Sequence, residues 1–400
     1  MLERLQQVTP DAILGLMAAY RADPDPRKVD LGVGVYRDSK GDTPILEAVG
    51  SAESALIAAQ STKTYVSSVG NAGFNEQMTR LTFGADHPTV KANRVRTVQT
   101  PGGCGALRLA AELIRLAAPD TTVHVSSPTW ANHEPLLGNS GLTLGRYPYF
   151  DPGTGGVEFP LMMAALEKLP PRTVVLLHAS CHNPTGADLS EDEWHTVLEL
   201  VRRRDLLPFI DMAYQGLGGG MEADAFAPRL FAAELPELIC AVSCSKNFGL
   251  YRERVGALHL VASTAGAADA ALSQLARLAR GIWSMPPDHG AEIVRRILSD
   301  GDLAAAWQKE VRGMRERILA LRQQLLQQLR EHCPRRDFGF ITRQRGMFSF
   351  LGINSAEIHR LRAEHHIYLT DDSRINIAGL REENLAYVAR AVAQVLGEGQ

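Results

Sequence analysis

The sequence predicts an α/β protein: a large domain with a mostly parallel sheet flanked by helices, plus a smaller α/β domain joined to it by a long helix. Three features carry this expectation. Residues 174–177, 206–210 and 238–242 are apolar runs without alternation, as expected of strands buried on both faces. Helices with a single apolar stripe intervene, the alternation that builds a parallel sheet. Residues 303–332 then form a helix of about 45 Å at roughly 1.5 Å per residue, with Trp307, Val311, Met314, Ile318, Leu321 and Leu325 on one stripe.

Size and charge set the outer bounds. Four hundred residues, 45% apolar, bury enough for one large domain and one smaller one. The expected division is 1–45 for an N-terminal arm and part of the small domain, 46–302 for the large domain, and 303–400 for the connecting helix and the rest of the small domain. A net charge of −3 leaves no basic footprint for nucleic acid. Five cysteines without metal spacing indicate free thiols in a reducing compartment. No leader or membrane-spanning run is evident, so the expected location is the cytoplasm, with no membrane or nucleic-acid partner and no metal.

In chain order, residues 10–20 suit a short helix before the turn Asp23-Pro24-Asp25-Pro26. Residues 31–36 hold Gly32 and Gly34, whose backbone can approach a ligand; a plain strand is the competing reading. Thr100-Pro101-Gly102-Gly103-Cys104-Gly105 opens a helix with Leu107, Ala110, Ala111 and Ile114 on one face. A glycine turn at a helix start presents free N–H groups, a phosphate cradle that includes Gly103 and Cys104. The strand 122–126 delivers Trp130, and 174–177 leads to Asn183-Pro184-Thr185-Gly186. Ser190 and Glu193 make a capping box for the next helix. Asp211 closes the strand 206–210, where a buried carboxylate needs a cationic partner, and Tyr214 follows it. Beyond residues 255–261, another strand, the C-terminal part alternates strands at 338–341, 347–351 and 374–377 with helices at 356–364 and 382–396.

The chemistry centres on Ser243-Cys244-Ser245-Lys246, followed by Arg254 and Gly256. An amine at the end of a buried strand, beside another cation, loses its proton more easily and becomes a nucleophile able to form a Schiff base. Ser243, Ser245 and Arg254 are groups that hold a phosphate. An aldehyde carrying a phosphate is pyridoxal phosphate, and Asp211 is then the counter-charge of its protonated ring nitrogen.

Residues 243–256 resemble the lysine signature of the class I, aspartate-type aminotransferases, and the likeness spans nearly the whole chain, from Asp11 to Gly379. The resemblance implies the type I fold of pyridoxal phosphate enzymes, with Lys246, Asp211 and Tyr214 catalytic. It implies Trp130 stacked on the cofactor ring, Asn183 and Tyr214 at its phenolic oxygen, and Tyr65 reaching a neighbour's cofactor phosphate across a homodimer. Arg374 anchors the substrate α-carboxylate, although from the residues alone it reads as a salt-bridged surface arginine. Arg280 serves the distal carboxylate in the other subunit's site, and Gly34, Trp130 and Asn183 also face substrate. The chain departs from the family at Cys104, where threonine or serine is usual, and at Ile282, Trp283 and Met285, where dicarboxylate members carry asparagine, tyrosine and asparagine. The implied activity is amino-group transfer from aromatic and dicarboxylic amino acids to a 2-oxo acid such as 2-oxoglutarate. The alternatives are an aspartate aminotransferase, a lyase or decarboxylase on the same scaffold, and a cofactor-sensing regulatory domain; the last is disfavoured because no segment is left for a DNA-binding module.

Overall fold

The buried runs pair into one sheet. In the computed structural model, which describes residues 1–7 and 12–397, its strands are β1 (Val95–Pro101), β2 (Thr122–Ser127), β3 (Thr143–Pro148), β4 (Val174–His178), β5 (Leu207–Met212), β6 (Leu238–Ser243) and β7 (Val255–Val261). Their spatial order is β1-β7-β6-β5-β4-β2-β3. Pairing is parallel except at β7, which runs antiparallel to both β1 and β6. The sheet is covered on both sides, which is why its central strands lack alternation. Leu176, Phe209, Ile239 and Leu258 face a cluster formed with the helices Gly102–Ala117 and Ala265–Ile282. Leu177, Ile210, Val242 and Ala257 face the larger cluster on the other side.

This topology gathers loops at one edge. The C-terminal ends of β1, β4, β5 and β6 lie beside the start of β7: Val255 sits opposite Pro101, Gly256 opposite Ser243, and His178 opposite Asp211. In parallel α/β sheets that edge is where ligands bind.

The long helix runs Gly301–His332, with Asp300 as its N-cap accepting from the Asp302 and Leu303 N–H groups, both at 3.0 Å. Its expected stripe, from Trp307 to Leu325, is buried. The helix packs on Glu47–Ala59 and His289–Ser299 and, further along, on Glu382–Val395. Near its start the Trp307 indole donates to the Asn247 carbonyl at 2.7 Å and stacks on Phe248, centroids 4.3 Å apart, tying the helix to the loop that carries Lys246.

In the C-terminal part, Phe348–Phe350 pairs antiparallel with Arg374–Asn376, and Val29–Asp30 pairs parallel with Ile367–Tyr368. The helices are Ser355–His365 and Glu382–Val395. The strand expected at 338–341 is not formed; the chain makes a short helix, Phe340–Arg343, instead. Local turn bonds account for this: Asp337 Oδ1 accepts the Gly339 N–H at 2.7 Å and the Phe338 carbonyl accepts the Ile341 N–H at 3.0 Å, while the Ile341 carbonyl accepts from the buried Arg322 guanidinium, so these groups are not free for a strand partner. Residues 31–36 are likewise no strand. The arm helix is Ala12–Ala22, and its expected start at Pro10 lies outside the described residues. The capping box of Ser190 and Glu193 is present. Among the described residues no cysteine is in a disulfide and no helix is long and apolar enough to cross a membrane.

Candidate active site

Lys246 lies three residues beyond the end of β6, in a cavity of about 240 Å³ at the loop edge of the sheet. The cavity is lined by Gly34, Gly103, Cys104, Trp130, Asn183, Asp211, Tyr214, Ser243, Ser245, Arg254 and Arg374, every expected site residue except Tyr65 and Arg280. Burial, aided by the charges of Arg254 and Arg374 and opposed by Cys104 and Asp211, pulls the lysine pKa down to about 8. Its amine stands 5.4 Å from the centre of the Tyr251 ring and 5.7 Å from that of Tyr214.

Opposite, Asp211 is 7% exposed and its Oδ2 lies 3.0 Å from His133 Nε2, while His133 Nδ1 meets Thr129 Oγ1 at 2.8 Å. Burial pushes the Asp211 carboxyl up. The His133 hydrogen bond, then the charges of His133 and Lys246, outweigh that and hold it below the usual carboxylate range. The site thus keeps an ionised carboxylate inside the protein. His178 packs at 5.2 Å from the His133 ring, and burial, then the charge of His133, drives its pKa to about 3, so it is neutral. Neither ring nitrogen of His178 has a hydrogen-bond partner among the described residues.

On the substrate side, Arg374 is buried and forms no ion pair among the described residues, overturning its surface reading. Its Nη2 donates to the Gly32 carbonyl at 2.8 Å and its Nη1 to Asn183 Oδ1 at 3.4 Å, and its guanidinium lies 4.4 Å over the Phe348 ring. Its Nε has no partner. The segment carrying Gly34 is fixed from below, because Asn376 Nδ2 donates to the carbonyls of Val33 and Val35, both at 2.7 Å. Asn183 Nδ2 reaches the Tyr214 hydroxyl at 3.5 Å. Burial holds the Tyr214 phenol well above its usual pKa, against the pull of Arg374, so the hydroxyl stays a donor.

A phosphate fits the opposite wall. Gly102 (φ +72°) turns the chain from β1 into its helix, and a Cβ there would lie 2.3 Å from Arg254 Nη2. At Gly256 a Cβ would meet the Gly102 backbone at 2.5 Å. These glycines let Arg254, the two serine hydroxyls and a helix N-terminus converge, a donor set suited to a dianion. Arg254 Nη1 is 3.5 Å from Ser245 Oγ. The Cys104 thiol lies in the cavity and is approached by Asn132 Nδ2 at 3.8 Å.

Tyr65 and Arg280 lie elsewhere. Tyr65 is 87% exposed, and the exposed Arg280 donates to Ser284 within its own segment. The structure also adds residues that sequence reasoning did not single out: His133, His178, Tyr251 and Phe348. Tyr251 sits inside the lysine signature, and its hydroxyl accepts the Tyr36 N–H at 2.9 Å.

A lysine of depressed pKa, a buried ionised carboxylate facing it and a phosphate cradle on the same sheet edge define a pyridoxal phosphate enzyme. Residues 26–392 match the Aminotransferase class I and II family. The chain is 49% identical to an aromatic-amino-acid aminotransferase of Pseudomonas aeruginosa over 395 residues, 99% of each chain. It is 41% identical to an aspartate aminotransferase of Haemophilus influenzae, covering 99% of this chain and 100% of the other. Its fold matches the crystal structure of an aromatic-amino-acid aminotransferase of Burkholderia pseudomallei covalently bound to pyridoxal phosphate, with a TM-score of 0.97, 44% identity and 99% of each chain covered. The chain belongs to the class I and II aminotransferases; it is a transaminase whose cofactor is pyridoxal phosphate.

Proposed function

We propose that Ser243, Ser245, Arg254 and the N–H groups of Gly103 and Cys104 hold the cofactor phosphate. In this assignment Trp130 lies against the ring face, Asp211 holds the ring nitrogen, and Asn183 and Tyr214 hold the phenolic oxygen. When bound, the cofactor supplies the electron sink for a carbanion, which no side chain can. Lys246 carries the cofactor between turnovers. Once the substrate amine displaces it, its own amine takes the proton from the substrate Cα, a role suited to a pKa near 8. Asp211, held ionised by His133, keeps a proton on the ring nitrogen. Arg374 grips the α-carboxylate and sets which Cα bond faces the ring, with Gly34 covering the substrate.

The assembly proposed is a homodimer with shared sites in the cytoplasm. What supports it is that Tyr65 and Arg280 are exposed and do not line their own chain's cavity, and that no disulfide is formed among the described residues. Mixing Lys246→Ala with Arg280→Ala subunits tests it. Recovered activity after exchange is expected, and none after confirmed exchange would contradict sharing. The division at residues 46 and 303 into a cofactor domain and a small domain is proposed with it.

For the substrate, we propose aromatic amino acids together with the glutamate/2-oxoglutarate pair. The observation that carries this is the setting of Arg280: it bonds only to Ser284 among the described contacts, and Ile282, Trp283 and Met285 beside it offer no side-chain amide to hold it inward. An arginine free to swing out leaves room for an aromatic ring. Relatives named for aromatic amino acids match at up to 49% identity and relatives named for aspartate at 41–42%, which supports an aromatic substrate first and leaves aspartate within reach. Measuring kcat/KM for phenylalanine, tyrosine and aspartate with 2-oxoglutarate decides it. Comparable values support dual specificity; aspartate ahead of both aromatics by more than about a hundredfold, some 2.7 kcal/mol, makes the chain an aspartate aminotransferase.

A further inference from the structure

The two segments assigned to the neighbouring subunit are joined inside this chain by a buried amide. Gln99, on β1, is 0% exposed. Its Oε1 accepts the Asn71 N–H at 2.8 Å, and its Nε2 donates to the Pro287 carbonyl at 2.7 Å. Its own N–H donates to the Val69 carbonyl at 3.0 Å. Val69 and Asn71 follow Tyr65 closely, and Pro287 closes the segment that begins at Arg280. Gly70 (φ +85°) presses the first segment onto this side chain, since a Cβ there would lie 2.3 Å from Gln99 Cβ. Asn71 repeats the bridge, donating through Nδ2 to Asp288 Oδ1 and Glu292 Oε2, both at 3.1 Å.

We propose that Gln99 is a positioning residue that holds the Tyr65 segment and the Arg280 segment in one fixed relation, so that both reach the partner's site together. Glutamine suits the place because its planar amide offers one acceptor and one donor on opposite corners. The two loops present opposite needs, an N–H from Asn71 and a carbonyl from Pro287. Gln99 itself is fully buried, where an amide left without either partner is costly. Gln99 stands on the same strand as Pro101, which leads into the phosphate cradle of its own cavity. One strand therefore fixes the cradle of one site and the two segments given to the other. This inference rests on the shared-site reading.

The test uses the holoenzyme and three readouts: KM for 2-oxoglutarate, the rate of cofactor release, and hydrogen exchange at the Asn71 amide. Gln99→Leu removes donor and acceptor, and both KM and release are expected to rise about tenfold, as for one buried hydrogen bond lost at each loop, while kcat changes much less. Gln99→Glu keeps the acceptor. Cofactor release and Asn71 protection then stay near the parent, and KM rises with pH as the carboxyl ionises and loses its proton for the Pro287 carbonyl. Tyr65→Phe and Arg280→Ala serve as references. If they leave release and KM unchanged, the shared-site reading fails and this inference with it. If they move these quantities while the Gln99 variants do not, or if Gln99→Glu raises release and KM equally at every pH, the positioning role is overturned. Should Gln99→Leu not fold, the split and pH dependence of Gln99→Glu decide alone.

Discussion

His133 meets Asp211 at 3.0 Å with both side chains buried, and the imidazole thereby holds a carboxylate ionised in a place where burial alone would neutralise it. Asp211→Asn is expected to fold and to lose about 10²–10³-fold in kcat, the range for removing one charge-stabilising group from an active site. His133→Asn acts chiefly through Asp211, so a smaller loss of about 10–100-fold is expected, as for groups that orient a first contact. Steady-state kinetics of the two variants check the order. Equal losses, or a larger one for His133→Asn, would place the critical proton elsewhere.

Arg374 lies over the Phe348 ring and bonds to Gly32 and Asn183, so the fork proposed to grip the substrate is already oriented. Arg374→Lys loses the bidentate geometry, and KM for amino and oxo acids alike is expected to rise about 10–100-fold. Phe348→Leu removes a cation–π contact of ~0.5–2 kcal/mol and is expected to raise KM by a smaller factor with kcat nearly kept. An unchanged KM in Arg374→Lys would remove Arg374 from the carboxylate.

Much of this arrangement was legible in the sequence because local chemistry and burial agreed there. The run 255–261 forms β7 as expected, and the stripe from Trp307 to Leu325 is the buried face of one helix. Lys246, Asp211 and Asn183 all sit just past or at the ends of buried strands, where a parallel sheet must place its ligand. What escaped depends on tertiary partners. Phe338 and Ile341 are apolar enough for a strand, yet Asp337 caps the Gly339 N–H, the Phe338 carbonyl takes the Ile341 N–H, and a helical turn forms whose Ile341 carbonyl meets Arg322. His133 and His178 look like ordinary core histidines until β4 and β5 bring His178 level with Asp211. Arg374 reads as a surface arginine because no local pattern announces that residues 31–36 will fold over it.

The depressed pKa of Lys246 gives a pH dependence. Only the neutral amine attacks the cofactor aldehyde, and the neutral fraction grows as pH rises through about 8. The rate at which cofactor-free protein takes up pyridoxal phosphate, followed by visible absorbance, is expected to climb to a plateau just above that pH. A rate still rising about tenfold per pH unit at pH 9 would mean an ordinary, solvated lysine.

A second pH effect belongs to stability. His259 is buried between Thr97 Oγ1 at 2.8 Å and Thr82 Oγ1 at 3.1 Å, and burial lowers its pKa to about 3. The unfolded chain binds this proton from about pH 6.5 downward while the folded chain does not. Stability is therefore lost as pH falls between those values, by up to about 1.4 kcal/mol per pH unit for this group. Thermal unfolding from pH 7 to pH 4 should show a shallower decline in His259→Gln; an identical slope would contradict it.

The central claim is that Lys246 carries the cofactor. Borohydride reduction of the holoenzyme, followed by proteolysis and mass analysis of the peptides, reads this directly. The added mass of reduced pyridoxal phosphate is expected on the peptide containing Lys246 and at that residue, and Lys246→Ala protein treated alike should carry none. Label on another lysine in the parent protein, or label retained in Lys246→Ala, would contradict the account.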